Sequence, residues 1–244
     1  MTSRVTYEIE SFPVGAFQCN CSLLAHPETR DAMVIDPGDD LEAILERIDY
    51  HELRVRALWH THAHIDHIGA TKTLFEEISR RNRELGVEVP KVYLHEADRW
   101  LYDNVGLQAS FLGLYPFEVT SELSKLTDGQ NYAGFEGVRA RHTPGHTPGS
   151  CCLDVRAAAH LSVPRSFRAP SGDDAKTVVI TGDTLFRGSI GRTDLWGGDT
   201  PTILKSIRDK LLTLDEEAVV VPGHGPLTTI GHERAKNPFF AAGR

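Results

Sequence analysis

The polarity of the chain changes period several times, and each change marks an element. Residues 7–12, 17–24 and 32–35 are short β-rich stretches and predict three strands. Asp36-Pro37-Gly38-Asp39 breaks the pattern as a turn, with Asp39 or Asp40 placed to cap a following helix. In that helix Leu41, Ile44, Leu45 and Ile48 share one stripe, as expected of a helix lying on a sheet. Residues 55–59 predict a strand, and a second helix runs from Ile68 through Leu74 and Ile78 to about Asn82. A strand over 91–94 and a short helix over 97–102 follow. Residues 104–117 read as irregular, aromatic and rich in small side chains, a segment that could wall a pocket. Strands are predicted again over 135–141, 150–155, 178–181 and 219–221. Before the last comes a helix with Thr200 as cap, Pro201 in its first turn, and Ile203, Ile207 and Leu211 as its core stripe. Strands followed by a helix occur twice, without a tandem repeat. The predicted architecture is α/β, two sheet-plus-helix layers packed face to face.

Residues 156–175 interrupt this order. Rich in Ala, Ser, Pro, Gly and Asp and without a sustained period, they read as a surface insertion between two strands. With 244 residues the chain is long enough for a substantial core. Its formal charge of −8 argues against a nucleic-acid partner. The first residues lack the apolar run of a signal peptide, and no stretch approaches the ~20 apolar residues of a membrane span. A soluble, cytoplasmic protein is expected. Cys19, Cys21, Cys151 and Cys152 form no C-x-x-C pair and sit in apolar strands, so they are expected to be small buried hydrophobes in a reducing compartment.

The chemistry is concentrated in histidines. His62, His64, Asp66 and His67 crowd into one short run, and His146, Asp183 and His224 follow in separate fragments. A core has no use for such density, because each imidazole buried without a partner costs free energy. Imidazole nitrogens and carboxylate oxygens are ligands for borderline divalent cations. Seven candidates exceed one tetrahedral ion and suit two ions sharing a bridging carboxylate and a bridging water. Three of these fragments follow β-rich runs and the fourth lies between two strands, so the ligands are predicted to collect at one sheet edge. Zinc fits this ligand set, and iron or manganese would also be accepted. Elsewhere, His26, His51, His160 and His232 are read as ordinary core or surface residues and His95 as a helix start. His60 and His142 flank the ligand fragments as candidate orienting partners. Arg192 is either an ion-pair partner of Asp194 or a contact for an anionic substrate group; Arg187 carries the same ambiguity.

The run His62-x-His64-x-Asp66-His67 with the later His, Asp and His resembles the metallo-β-lactamase superfamily, whose fold is a four-layered αβ/βα sandwich with metals at one edge. Thr143-Pro144-Gly145-His146-Thr147-Pro148-Gly149-Ser150, Thr181-Gly182-Asp183-Thr184-Leu185-Phe186, Gly191-Arg192-Thr193-Asp194 and Pro222-Gly223-His224-Gly225-Pro226 narrow the likeness to glyoxalase II-like thioester hydrolases. The longer members carry a C-terminal helical glutathione-binding domain. Here a short tail follows the last ligand motif, so a single metallo-hydrolase domain over 1–244 is expected, like the short subgroup. The resemblance implies that His62, His64 and His146 hold one metal, that Asp66, His67 and His224 hold the other, and that Asp183 bridges. A water between the ions, its pKa lowered toward about 7, would attack a thioester carbonyl, with S-lactoylglutathione or a related acyl-glutathione as substrate. Asp66 could accept a proton in the cycle. The residues around 181–194 also resemble persulfide dioxygenases, which use one iron and oxygen on glutathione persulfide. A nuclease on this fold is the least favoured reading, given the acidic charge and lack of a basic patch.

Overall fold

Alternate residues of the same strands face two different cores, and this produces the layering. The computed structural model describes residues 6–162 and 176–241. Its first half hydrogen-bonds β1 (Thr6–Val14), β2 (Cys19–Ala25), β3 (Asp31–Ile35), β4 (Arg54–Trp59), β5 (Lys91–His95) and β6 (Leu123–Leu126) in that order, antiparallel up to β3 and parallel beyond it. The second half contains β7 (Asn131–Tyr132), β8 (Phe135–His142), β9 (Cys151–Ser162) and β10 (Lys176–Gly182). A small hairpin of β11 (Leu185–Phe186) and β12 (Ser189–Ile190) follows, then β13 (Val219–Pro222) and β14 (Thr228–Thr229). Its spatial order is β14-β13-β10-β9-β8-β7. Strand β9 spans both halves: 151–155 pair with β8, and 158–162 lie parallel to β1.

Helices cover both outer faces: α1 (Leu41–Tyr50), α2 (Ile65–Ile68), α3 (Thr71–Glu84), α4 (Arg99–Asp103), α5 (Val105–Leu112), α6 (Thr200–Ser206) and α7 (Ile230–Lys236). Between the halves, Tyr7, Ile9, Met33, Ile35 and Trp59 pack against Leu153, Val155, Val178, Ile180, Val219 and Val221, all buried. The opposite faces of the same strands turn outward. Val34 and Leu58 meet Ile44 and Ile48 of α1 and Leu74 and Ile78 of α3. Val179 and Val220 meet Ile203, Ile207, Leu211 and Ile230. Strands buried on both faces are therefore apolar throughout, as in the valine run of β13. The result is the four-layered αβ/βα sandwich predicted from the sequence, with helices outside and two sheets inside.

Several local expectations change. Asp40 precedes α1 in a left-handed conformation (φ 51°) without capping it; its Oδ2 instead accepts from Gly15 N at 2.7 Å, tying the β1–β2 turn to the helix start. The second predicted helix is two pieces, α2 and α3, so Asp66 and His67 lie within a helical turn rather than ahead of one. Residues 105–112 are helical, not irregular: Val105, Gln108 and Ala109 provide a buried i, i+3, i+4 stripe and Gly113 (φ 69°) ends the helix. Their signal was hidden because Leu107 and Phe111, on the other side, are apolar yet exposed. Asp199, not Thr200, caps α6, accepting from Thr202 N at 2.8 Å. The expected insertion over 156–175 overlaps β9, which continues to Ser162; residues 163–175 lie outside the described residues. Among the described residues no helix is long and apolar enough to cross a membrane.

Candidate metal centre

Each ligand candidate is delivered by the end of a strand or the loop beyond it. His62 and His64 follow β4, and Asp66 and His67 occupy α2, the next turn. His146 sits in the β8–β9 loop, Asp183 directly after β10, and His224 two residues beyond β13. Because β4, β10 and β13 run to the same edge, residues up to 162 positions apart in sequence (62 to 224) converge there.

Three imidazoles form the first group. His62 Nε2, His64 Nδ1 and His146 Nε2 are mutually separated by 3.1, 3.2 and 2.9 Å. Donors at ~2.0–2.1 Å from one tetrahedral ion are about 3.3 Å apart, so these atoms already describe one face of a coordination tetrahedron. Hydrogen bonding alone does not account for the cluster. His62 Nδ1 lies 3.0 Å from Thr61 Oγ1, and His146 Nδ1 donates to the Arg192 carbonyl at 2.8 Å. With their protons on Nδ1, both rings present bare Nε2 lone pairs to each other, an arrangement that a cation relieves. Burial, followed by the neighbouring imidazoles, holds His62 well below the ordinary histidine value. Burial and then His146 push His64 down to about 3. These rings are neutral at neutral pH, the form that ligates metal.

Asp66, His67, Asp183 and His224 form the second group. His224 Nε2 is 3.1 Å from Asp66 Oδ2, and His67 Nε2 is 3.8 Å from the same oxygen. Asp183 is shared. Its Oδ1 faces His67 Nε2 at 3.4 Å and His224 Nε2 at 3.8 Å, while its Oδ2 faces His146 Nε2 of the first group at 3.6 Å. Burial, the largest influence, pushes the Asp183 carboxyl up, but His67, His146 and His224 together hold it well below the usual carboxylate range. His67 Nε2, Asp183 Oδ1 and His64 Nε2 are buried atoms with no hydrogen-bond partner. Native folds seldom leave such atoms unsatisfied without a reason. For His67 Nε2 and Asp183 Oδ1, which converge on one space, a cation between them supplies the reason.

The sequence profile of the metallo-beta-lactamase superfamily matches residues 14–161 and 157–224. The chain belongs to that superfamily. It is a metal-dependent hydrolase of the superfamily, which implies divalent metal binding, and its His and Asp clusters are groups that could hold such ions. Hydroxyacylglutathione hydrolase GloC of Haemophilus influenzae is 38% identical to it over 241 residues, covering 95% of this chain and 97% of the relative. Among solved structures, BLEG-1 B3 metallo-beta-lactamase superposes with a TM-score of 0.74 at 34% identity, covering 96% of this chain and all of that one. A second neighbour, TTHA1623 in a di-iron-bound form, gives a TM-score of 0.72 at 34% identity, covering 93% and 98%.

In this metallo-β-lactamase superfamily member the ligand loops are held by residues that the sequence pattern did not single out. Asp36, fully buried at the end of β3, accepts from Thr61 N and Thr61 Oγ1, each at 2.7 Å, and from His67 Nδ1 at 3.0 Å. One carboxylate thus orients His67 directly and His62 through Thr61. Gly38 makes room for it: a Cβ there would lie 1.8 Å from the Asp66 carbonyl oxygen, so only glycine lets the two loops cross. Asp98 joins the loop of His62 to that of His146, accepting from Ala63 N, Thr147 Oγ1 and Gly149 N at 3.1, 2.7 and 2.6 Å. Gln108 of α5 braces the same stretch, accepting from Ile65 N at 3.0 Å and donating to the Ala63 carbonyl at 2.9 Å. His224 is held by donation from Nδ1 to the Phe17 carbonyl at 3.1 Å. The available signals were weak: Asp36 looked like a turn residue after a strand, and Gln108 lay in a segment read as irregular.

Other sequence candidates find different places. Arg192 pairs side by side with Asp194, with two contacts of 2.7 Å on the exposed surface, and its link to the centre is its backbone carbonyl on His146. Arg187 is exposed on the β11–β12 turn and makes no ion pair among the described residues. His60 contacts Tyr93 O and Thr71 Oγ1 rather than a ligand residue. His142 donates to the Pro148 carbonyl in the His146 loop and stacks on His95, whose Nδ1 accepts from Ala97 N at the start of a helical turn. The four cysteines are free and buried. Cys19 is more than filler, since its Sγ lies 3.4 Å from His67 Nδ1.

Proposed function

We propose that the chain is a dinuclear thioester hydrolase acting on S-lactoylglutathione or a related acyl-glutathione. The observation that carries the dinuclear part is Asp183, whose two oxygens face two separate ligand groups. In this reading His62, His64 and His146 hold one ion, Asp66, His67 and His224 the other, and Asp183 both. The name of the Haemophilus relative, at 38% identity and near-complete coverage, supports the thioester. Zinc suits the imidazole-rich set, and the di-iron neighbour makes iron its main competitor. When bound, such ions supply a water nucleophile at neutral pH and polarise the carbonyl under attack.

The chain's own residues supply orientation and charge. Asp36, Thr61 and the carbonyls of Phe17 and Arg192 keep four imidazoles in the tautomer that presents a lone pair to the centre. Asp66 Oδ2 lies 3.1 Å from His224 Nε2, beside the reaction space, and in this reading takes a proton during the cycle. Thioester cleavage asks little more, because a thiol leaving group with a pKa near ~8.5 departs without a strong general acid. The free thiols suit a reducing, cytoplasmic setting.

The test joins metal content to turnover. Two metals per chain, hydrolysis of S-lactoylglutathione, and loss of at least one metal and nearly all turnover in Asp183→Ala are expected. One iron per chain with oxygen uptake on glutathione persulfide, and no thioester cleavage, would overturn the proposal. A β-lactam belongs in the same panel because of the BLEG-1 neighbour; cleavage of it far above the thioesters would reassign the substrate.

A further inference from the structure

A cleft of about 330 Å³ opens beside the metal centre, with Asp66 as the shared wall. Four chain segments build its sides: the β1–β2 turn, the β3–α1 turn, α2 with Gly69 after it, and the stretch after α5. Val14, Phe17, Ile65, Leu114, Tyr115 and Phe117 supply the apolar part of its lining, beside Asp39, Asp66 and backbone polar groups. Phe17, Leu114 and Tyr115 remain 46%, 40% and 95% exposed at its rim. Large apolar side chains grouped around a cavity and left in water are the usual mark of a ligand that covers them. The charged groups of the lining are Asp39 and Asp66, both acidic, and it contains no lysine or arginine.

From this geometry we infer that the cleft receives the acyl half of the substrate, and that this acyl group is uncharged, apolar and longer than lactoyl. The inference rests on the thioester reading above and narrows its substrate class. The size fits: about 330 Å³ is room for roughly eleven waters at ~30 Å³ each, more than a three-carbon hydroxyacyl group displaces. The charge fits as well. Asp66 is neutralised in this reading by the ion it holds, but an acyl carboxylate, or the carboxylates of glutathione, would face Asp39 with no lysine or arginine in the lining to compensate, so the thiol half extends away from this side. Asp66 fixes the direction, because it touches both the cleft and His224 of the centre. A chain lying over Phe17 and Leu114 therefore ends with its carbonyl at the ligand cluster.

The test uses the metal-loaded enzyme with acetyl, lactoyl, hexanoyl and succinyl thioesters, each on glutathione and on N-acetylcysteamine. We expect kcat/KM for hexanoyl to exceed acetyl at least about tenfold, which needs only about two fully buried methylenes. Succinyl should fall at least about tenfold below hexanoyl, on either thiol. Asp39→Lys should narrow the hexanoyl-to-succinyl ratio at least about tenfold, and Leu114→Glu should depress hexanoyl relative to acetyl. Thioester cleavage at equal kcat/KM across the acyl series overturns the cleft assignment and leaves the thioester reading standing. If no thioester is cleaved, the thioester reading falls. Calorimetry with S-hexylglutathione and S-methylglutathione then decides the cleft separately: hexyl binding at least about tenfold tighter supports it, and equal Kd values overturn it.

Discussion

Replacing Asp36 by asparagine changes one atom and reverses the hydrogen-bond logic of the centre. The carboxylate receives three donors: Thr61 N on Oδ1, and Thr61 Oγ1 and His67 Nδ1 on Oδ2. An amide has one acceptor oxygen and one NH2. Thr61 N–H is a fixed backbone donor, so the amide oxygen must stay opposite it and the NH2 takes the Oδ2 position. The Thr61 hydroxyl can rotate to accept. His67 can accept only by moving its proton from Nδ1 to Nε2, the nitrogen that faces Asp183 at 3.4 Å. A protonated Nε2 offers no lone pair to an ion, so Asp36→Asn should remove His67 as a ligand while leaving its ring in place. Loss of a partner that orients a ligand histidine typically weakens metal affinity ~10–100-fold, or about 1.4–2.8 kcal/mol. Asp36→Asn should sit at or beyond the upper end, because it imposes the wrong tautomer instead of merely relaxing the ring. Metal titration against a competing chelator, with elemental analysis of the dialysed protein, reads the result directly. Two equivalents bound with unchanged affinity would refute the tautomer reasoning, and weakening of only the His62–His64–His146 site would misplace it.

Other expectations follow from equally local geometry. A Cβ on Gly223 would lie 2.3 Å from Asp183 Oδ1 and 2.8 Å from His67 Cε1, so Gly223→Ala should displace a ligand and cut turnover by ~100-fold or more; full metal content with normal rates would contradict this. Trp59 is fully buried between the sheets and donates from Nε1 to Tyr132 OH at 2.6 Å. Trp59→Ala should cost about 3–5 kcal/mol in urea unfolding, and a loss under ~1 kcal/mol would mean the inter-sheet core is not the main source of stability. His95 is pushed from 6.5 down to about 4, first by burial and then by His142 and Lys125. As pH falls from 6.5 toward 4 the unfolded chain takes up a proton that the folded ring refuses, so stability declines across that window. His95→Asn should flatten the slope, and an unchanged slope would assign the pH dependence elsewhere.

The layers were legible because they rest on short-range periodicity. Leu41, Ile44, Leu45 and Ile48 declare a helix face, and Val219 to Val221 declare a strand buried on both sides, without reference to anything distant. The ligand candidates were legible for a chemical reason: so many imidazoles and carboxylates have no other economical place in a soluble fold. Their division into two groups came only from resemblance until the chain was folded, because spacing along the sequence holds no information on whether Asp183 Oδ1 and Oδ2 face different partners. Asp36, Asp98 and Gln108 were invisible for the same reason. Each acts across 25 or more residues through side-chain hydrogen bonds, and a buried acceptor looks in sequence like any turn aspartate or helix glutamine. The cleft beside Asp66 is also a tertiary product, since its walls come from four separated segments and its apolar rim is ordinary composition until they meet. What the sequence determined by itself was the period of the elements and the stock of ligating atoms. Which lone pairs face a common point, and which apolar side chains are left in water around it, were decided by tertiary structure, because both depend on ångström-scale distances between residues that the chain order keeps far apart.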